Sequence, residues 1–172
     1  MQVLPKGRKM DRVVRQATEA GVARVVPLLG RNSLYRFDGE EDLQNKLQRW
    51  RRIAREALQQ SGAGGMPEIQ APQPLPEAVG RAGPGEVRLV FHQERRGTRS
   101  LHECLAGSVQ SVCVVIGPEG GLAPEEVELL IAGGFVPITL GTTVLRTETA
   151  AVFALAAIQT ILEERQAWRP AL

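Results

Sequence analysis

Two short loops in the second half of the chain carry the residue types best suited to holding a ligand. The first loop, GPEGG at 117–121, directly follows an apolar run, VCVVI at 112–116. The second loop, LGTTVLRTET at 140–149, also begins where an apolar segment ends, and it opens a long apolar helix pattern. Glycine lets a backbone approach a ligand closely, so the loops predict a ligand site. A purely structural turn is an equally good explanation of the first loop.

The residue types in and around these loops distinguish between kinds of site. A nucleotide-binding or NAD-dependent α/β protein also has a glycine turn after a strand, and this alternative stays open. However, GPEGG is neither the GxGxxG fingerprint nor a phosphate-binding loop, since no Gly-Lys-Ser/Thr follows it. The two cysteines, Cys104 and Cys113, and the two histidines, His92 and His102, give no usual zinc set, so no metal is expected.

Alternating apolar segments predict the elements that must position these loops. Helices are predicted at 8–20, 42–60, 75–79, 101–105, 124–132 and 146–166, and strands at 23–29, 68–71, 86–92, 112–116 and 135–140. This order favours an α/β fold with a mostly parallel sheet and helices on both faces. Ligands of such folds bind beyond the carboxyl ends of the strands, where the loops after His92, Ile116 and Leu140 would meet.

The two ends of the chain give different signals. Residues 1–5 show no strand or helix pattern, and they are predicted to be an extended lead-in from an upstream domain that is missing from this chain. Residues 6–172 are expected to form one domain, with the Gly- and Pro-rich segment 62–86 as an internal connection. The final helix at 146–166 is apolar over most of its circumference, which predicts packing against the sheet and against a second subunit.

Composition and charge limit the partners. The 172 residues carry a formal charge of +2, which alone predicts no nucleic-acid partner. Arginine-rich faces on the helices at 8–20 and 42–60 would suit RNA phosphates, and a solvated helix face is the alternative. No apolar run approaches the roughly 20 residues that span a bilayer, and the start lacks a signal peptide, so no membrane partner is expected. The cysteine usage fits a reducing cytoplasm.

Several stretches together resemble one known family. IGPEGG and LGTTVLRTETAA, with KGRKMDRVVRQATEAGV, REALQQSG and MPEI upstream, are similar to the RsmE family of ribosomal RNA methyltransferases, over residues 6 to about 159. The resemblance implies methylation of N3 of a uridine in 16S ribosomal RNA, or in the small ribosomal subunit, with S-adenosyl-L-methionine as the methyl donor. It also implies the SPOUT class of fold with a C-terminal trefoil knot, a homodimer, and a PUA-like RNA-binding domain upstream.

The resemblance also implies which residues form the site. Donor binding is implied for Val90, Phe91, His92, Gly117, Glu119, Gly120, Gly121, Leu140, Gly141, Val144, Leu145 and Arg146. Arg146 is the expected catalytic residue, because a guanidinium beside the base would stabilise the anion that develops when uridine N3 loses its proton. An ion pair of Arg146 with Glu119 or Glu148 is the structural alternative.

Three positions depart from the family pattern. Gln16, Asn32 and Ala63 stand where the family often has a cation, and each loss falls at a place that could meet RNA. These departures favour a further alternative, a non-catalytic RNA-binding or ribosome-assembly protein that keeps the fold. The intact second loop with Arg146 argues for an enzyme.

Overall fold

The computed structural model describes residues 1–33, 35–80, 86–93 and 99–167. Its six helices are α1 (Lys9–Glu19), α2 (Gly39–Ser61), α3 (Leu75–Gly80), α4 (Leu101–Cys104), α5 (Pro124–Ala132) and α6 (Thr147–Ala167). Its eight strands are β1 (Gln2–Val3), β2 (Arg24–Val25), β3 (Pro27–Leu29), β4 (Glu68–Ile69), β5 (Gln73–Pro74), β6 (Val87–Phe91), β7 (Val112–Ile116) and β8 (Val136–Ile138). All six predicted helices are therefore confirmed within a few residues of their ends.

Local sequence signals explain several helix boundaries. Ser100 caps α4 in a reciprocal arrangement with Glu103: the Glu103 amide donates to the Ser100 hydroxyl, and the Glu103 carboxylate accepts from the Ser100 amide. Pro124 occupies the first turn of α5, where its missing N–H costs no hydrogen bond. In α1 the buried residues recur at helical spacing, which turns one apolar face toward the core.

Six strands form one parallel sheet in the order β5-β3-β1-β7-β6-β8, and β2 and β4 form a separate parallel pair. The predicted parallel sheet is thus confirmed. Phe91 at the end of β6 lies level with Ile116 of β7 and with Ile138 of β8. The loops after these three strands therefore leave the sheet side by side.

Two predictions about strands are wrong. Residues 1–5 were expected to contain no strand, but Gln2–Val3 is β1, which lies between β3 and β7 in the sheet and is almost fully buried. A two-residue strand is too short to show alternation, and its pairing partners are distant in sequence. The strand expected at 23–29 is instead two strands, β2 and β3, which belong to different sheets. The short strand β5 was also not predicted.

The sheet separates two apolar layers. On one face, α1, α2 and α6 pack around residues such as Trp50, Leu89 and Phe91. On the other face, α3 and α5 cover a second cluster that includes Val90 and Val115. Neighbouring residues of β6 therefore point to opposite layers, as the pleat of a strand requires. The predicted arrangement of helices on both faces is confirmed.

The last helix is only partly covered. Ala154 and Ile158 of α6 are buried, and the helix packs against α1. Phe153 is 56% exposed on another side of the same helix. No helix within the described ranges is long and apolar enough to span a membrane.

Candidate functional site

A cleft of about 780 Å3 opens at the carboxyl end of the sheet. Its walls come from the three loops that follow β6, β7 and β8, and from the start of α6. The two loops singled out in the sequence, 117–121 and 140–149, therefore converge at one place, as predicted. The described part of the third loop ends at Gln93, and residues 94–98 lie outside the described ranges.

Most of the predicted site residues line this cleft. They are Phe91, His92, Gly117, Glu119, Gly121, Leu140, Gly141, Val144, Leu145 and Arg146. Two predicted residues do not line it. Val90 is fully buried in the cluster on the α3 and α5 side, because it alternates with Leu89 and Phe91 along β6. Gly120 lies beside Asn32, and a Cβ at Gly120 would be 3.3 Å from the Cβ of Asn32.

A buried hydrogen-bond cluster holds the two main loops together. The Thr147 hydroxyl donates to the Gly117 carbonyl at 2.6 Å, and the Gln2 side-chain amide donates to the Thr147 hydroxyl at 2.9 Å. The same Gln2 amide lies 3.2 Å from the Gly117 carbonyl. Gln2, Gly117 and Thr147 are all buried, so these bonds form away from water, where losing a partner is costly. This cluster fixes the start of α6 against the end of β7.

Lys9 and Lys6 bind the glutamate of the first loop. The Glu119 carboxylate accepts from the Lys9 ammonium at 2.7 Å and from the Lys6 backbone amide at 3.1 Å. Burial alone would raise the pKa of Glu119, but these hydrogen bonds outweigh it and lower the pKa below its ordinary value. The first loop is thus attached to the beginning of α1 through a charged side chain.

Asn32 supports the glycine turn from the other side. Its side-chain amide donates to the carbonyls of Gly120 and Gly121, at 3.3 and 3.2 Å. Next to it, the Glu126 carboxylate accepts from the backbone amides of Arg31 and Ala123. Asn32 is one of the three departures from the family pattern, and here its neutral amide contacts the backbone of the turn.

The other two departures lie away from the cleft walls. Gln16 is on α1, where its side-chain oxygen is buried and has no hydrogen-bond partner in the described part of the chain. Ala63 follows the end of α2, and its backbone amide donates to the Ser61 hydroxyl at 3.3 Å. Neither residue contributes to the lining of the cleft.

Arg146 is exposed at the cleft, between Leu145 and the buried first turn of α6. Among the residues that the structure describes, it forms no ion pair. Its two proposed partners are occupied by cations of α1, because Lys9 binds Glu119 and both Lys9 and Arg12 lie within 4.0 Å of Glu148. The ion-pair alternative for Arg146 therefore has no contact to support it.

The described residues include two free cysteines, Cys104 and Cys113. Within these ranges no group of three or more His, Cys, Asp or Glu side chains is arranged to hold a metal ion. Burial raises the pKa of the Cys113 thiol, which lies in β7, and it also raises the pKa of Cys104. Burial therefore favours the protonated form of both thiols.

Four residues of this site were missed in the sequence. Gln2 and Lys9 hold the two loops in place from the beginning of the chain, and Asn32 supports the first loop from behind. Thr147 lies inside the second motif, but its hydrogen bonds to Gly117 and Gln2 were not predicted from the sequence. The first three contact the loops across more than 80 positions of sequence, a separation that periodicity does not reveal.

The strand order and the position of the cleft define a SPOUT-type fold. The chain superposes on the SpoU methyltransferase AviRb from Streptomyces viridochromogenes, in complex with AdoMet, with a TM-score of 0.56 at 16% identity over 98% of this chain and 59% of that one. At this identity the likeness concerns the fold alone. The family is shown by the sequence: residues 1–159 match the model of the RNA methyltransferase domain, and the chain belongs to that family.

Individual relatives agree with this assignment. The chain is 36% identical over 162 residues to ribosomal RNA small subunit methyltransferase E of Synechocystis sp.. The aligned region covers 93% of this chain and 52% of the relative. It is 35% identical to the protein of the same name from Mycobacterium bovis, over 92% of this chain and 61% of the relative. The chain thus spans between half and two thirds of the length of these relatives. The resemblance found in the sequence is confirmed.

A solved structure of the same family has the same architecture. Ribosomal RNA small subunit methyltransferase E from Neisseria gonorrhoeae, bound to S-adenosyl methionine, superposes with a TM-score of 0.84 at 29% identity. The alignment covers 93% of this chain and 64% of the Neisseria chain. Nearly all of the described fold is therefore shared with a protein crystallised with the methyl donor.

Proposed function

We propose that this chain is the catalytic part of an S-adenosyl-L-methionine-dependent methyltransferase that modifies N3 of a uridine in 16S ribosomal RNA. The observation that carries the proposal is the cleft formed by three loops at one edge of a parallel sheet. It is supported by the similarity to the Neisseria structure bound to S-adenosyl methionine.

The walls of the cleft suit this donor. A Cβ at Gly117 would lie 3.2 Å from the backbone nitrogen of Leu122, so a side chain here would push the two parts of this turn apart by a few tenths of an ångström. The backbone of 117–121 would hold the donor on one side, and Leu140 and Leu145 would supply apolar contacts on the other. When bound, S-adenosylmethionine supplies an electrophilic methyl group.

Arg146 is the proposed catalytic residue. Uridine N3 must lose its proton to accept a methyl group, and negative charge develops on the base as this happens. The Arg146 guanidinium is exposed at the cleft and forms no ion pair within the described ranges. A fixed cation beside the developing charge lowers the barrier, and loss of one such group typically costs about 100- to 1000-fold in rate.

We also propose the wider arrangement that the resemblance implies. A C-terminal trefoil knot is part of that arrangement, and the hydrogen bond from Thr147 to Gly117 places the start of α6 beside the end of β7. A homodimer is supported by the exposed face of α6 around Phe153, which a second copy would cover. Small ribosomal subunits or free 16S ribosomal RNA are the proposed substrates. Such a substrate implies a cytoplasmic enzyme.

The test is methyl transfer to RNA. The chain is incubated with S-adenosylmethionine carrying a labelled methyl group and with either free 16S ribosomal RNA or small subunits, and the RNA is digested to nucleosides. The proposal predicts label in N3-methyluridine, and much less label with the Arg146→Ala variant. Donor binding without transfer to either RNA would instead support the non-catalytic RNA-binding or assembly protein, which the departures at Gln16, Asn32 and Ala63 favour.

A further inference from the structure

Two segments, on two different helices, are strongly positive although the helices as a whole also carry acidic residues. The segments 8–15 and 46–55 contain nine of the 21 Lys and Arg residues and only one of the 19 acidic residues, Asp11. Their net charge is therefore about +8, although the whole chain carries only +2. The two segments belong to the beginning of α1 and to the middle of α2, and these helices pack against each other.

The structure brings the cations of both helices onto one surface. Arg49 of α2 binds Asp11 of α1, with its Nη2 2.7 Å from the carboxylate. Arg15 of α1 and Arg52 of α2 both lie within 4.0 Å of Glu56. A small cavity of about 60 Å3 between the helices has Arg8, Lys46 and Arg49 in its wall. We call Arg8, Arg12, Arg15, Lys46, Arg49 and Arg52 the α1–α2 basic surface.

Three of these six cations remain largely available to a partner. The side chains of Arg12, Arg52 and Arg15 are 72%, 65% and 49% exposed. Their ion pairs are between 3.8 and 4.0 Å long, and exposed pairs of this kind contribute little. Arg49 differs, because its hydrogen bonds to Asp11 hold the guanidinium in place and raise its pKa. A groove of about 470 Å3 lies beside it, lined by Lys46, Arg49 and Arg52 and by one acidic residue, Asp42, which is 4.0 Å from Lys46.

The basic surface begins at the rim of the cleft. Lys9, which lies between Arg8 and Arg12 in the sequence, binds Glu119 in the cleft wall at 2.7 Å. Arg12 lies 4.0 Å from Glu148, next to the second loop. An RNA strand with one nucleotide in the cleft would therefore pass α1 next to the cleft and then α2, which lies farther from the cleft.

We propose that the α1–α2 basic surface binds the phosphate backbone of the RNA whose target nucleotide enters the cleft. This inference rests on the proposed function and adds a contact region outside the donor site. Phosphate contacts fix the register of a nucleic acid without reading its sequence, so the surface would position the strand while the cleft selects the base. The concentration of positive charge, against a remainder of the chain that is net negative, favours a polyanion over a neutral partner.

The experiment compares two triple variants with the unmodified chain. The test variant is Arg12→Gln, Arg15→Gln and Arg52→Gln. The control is Arg24→Gln, Arg36→Gln and Arg165→Gln, which removes the same charge from elsewhere in the described chain. Affinity for a fluorescent 16S ribosomal RNA fragment is measured over a range of salt concentrations, and affinity for S-adenosylmethionine is measured separately by calorimetry.

The proposal predicts a loss in the test variant alone. At about 0.1 M salt, RNA binding should weaken by at least about tenfold, and the slope of log affinity against log salt should fall by about 2, as expected for three lost phosphate contacts on a single strand. Donor affinity should stay within about twofold of the unmodified chain. Equal losses in the two variants would overturn the proposal. RNA affinity unchanged in the test variant would also overturn it, and would leave the surface to an acidic protein partner.

The same measurements separate this inference from the proposed function. RNA binding that depends on the basic surface, in a chain that binds no S-adenosylmethionine, would support the surface and contradict the methyltransferase. Methyl transfer to RNA, with an RNA affinity that the test variant leaves unchanged, would contradict the surface alone.

Discussion

The hydroxyl of Thr147 donates a hydrogen bond to the carbonyl of Gly117 at 2.6 Å, across 30 positions of sequence. This bond joins the first turn of α6 to the end of β7, and the Gln2 amide of β1 contacts both groups. Three distant segments therefore meet at one buried point directly behind the cleft. The position of the second loop over the first depends on this point.

Replacing Thr147 by valine should destabilise the fold and weaken the site. The change keeps the shape of the side chain but leaves the Gln2 amide and the Gly117 carbonyl each short of one buried partner, so the free energy of unfolding should fall by about 1–3 kcal/mol. Denaturation in urea measures this. Thr160→Val, at an exposed position of α6, is the matched control and should cost no more than about 0.5 kcal/mol. Similar losses in the two variants would show that the buried bonds contribute nothing.

Replacing Gly121 by alanine should cost stability without a steric clash. Gly121 has a φ of +70°, and nothing lies within 4 Å of a Cβ placed there, so the cost comes from the left-handed backbone alone, about 1–2 kcal/mol. Gly64→Ala is the control, because Gly64 also has open space around it but no positive φ. Thermal unfolding of both variants makes the comparison. A Gly121→Ala protein as stable as Gly64→Ala would contradict the turn geometry.

Glu119 should make the stability of the protein dependent on pH in acidic solution. Its pKa is lowered in the folded protein, so its ionised form stabilises the fold at neutral pH, and this contribution is lost as the pH falls through the lowered pKa. The unfolding midpoint of Glu119→Gln should therefore lie below that of the unmodified chain at neutral pH and approach it on acidification.

The Lys9→Gln background tests the cause of this dependence. Because the Lys9 ammonium donates to Glu119 at 2.7 Å, the effect of Glu119→Gln should be smaller once Lys9 has been replaced. A difference between Glu119→Gln and the unmodified chain that is the same at every pH would count against an ionised Glu119 as the stabilising group.

Replacing Arg146 should separate donor binding from the methyl-transfer step. Arg146→Ala should keep the affinity for S-adenosylmethionine within about threefold and lower the single-turnover rate on RNA by about 100-fold or more. Arg146→Lys keeps a positive charge and should recover part of the rate. Parallel losses of donor affinity and rate in Arg146→Ala would assign the residue to donor binding instead.

The sequence was sufficient to predict the larger elements. Helices α1, α2, α5 and α6 show clear apolar periodicity or end signals, and the five-residue strands β6 and β7 are dense in β-branched residues. The shortest strands of the sheet were harder to predict. Strands β1 and β5 have two residues each, and their pairing with β3 comes from distant parts of the chain, so no local pattern marks them.

The position of the cleft was predicted to a similar extent. The glycine loop and the LGTTVLRTET loop were found because their composition is unusual and both follow strands, and most of the residues named there line the cleft. Val90 was misplaced relative to the cleft because alternation along β6 turns it to the opposite layer. The contacts of Gln2 and Asn32 with the loops were not predicted. Both side chains donate hydrogen bonds to backbone carbonyls, and any loop sequence has such carbonyls.

Calorimetric titration with S-adenosylmethionine, with NAD as the comparison ligand, tests whether the cleft is a methyl-donor site. The chain should bind S-adenosylmethionine at one site per chain and should not bind NAD. It should lose most of its affinity for S-adenosylmethionine in Gly117→Val, where the added side chain would meet Leu122. Binding of NAD in place of S-adenosylmethionine, or binding of S-adenosylmethionine that Gly117→Val leaves unchanged, would contradict the assignment of the cleft as a methyl-donor site.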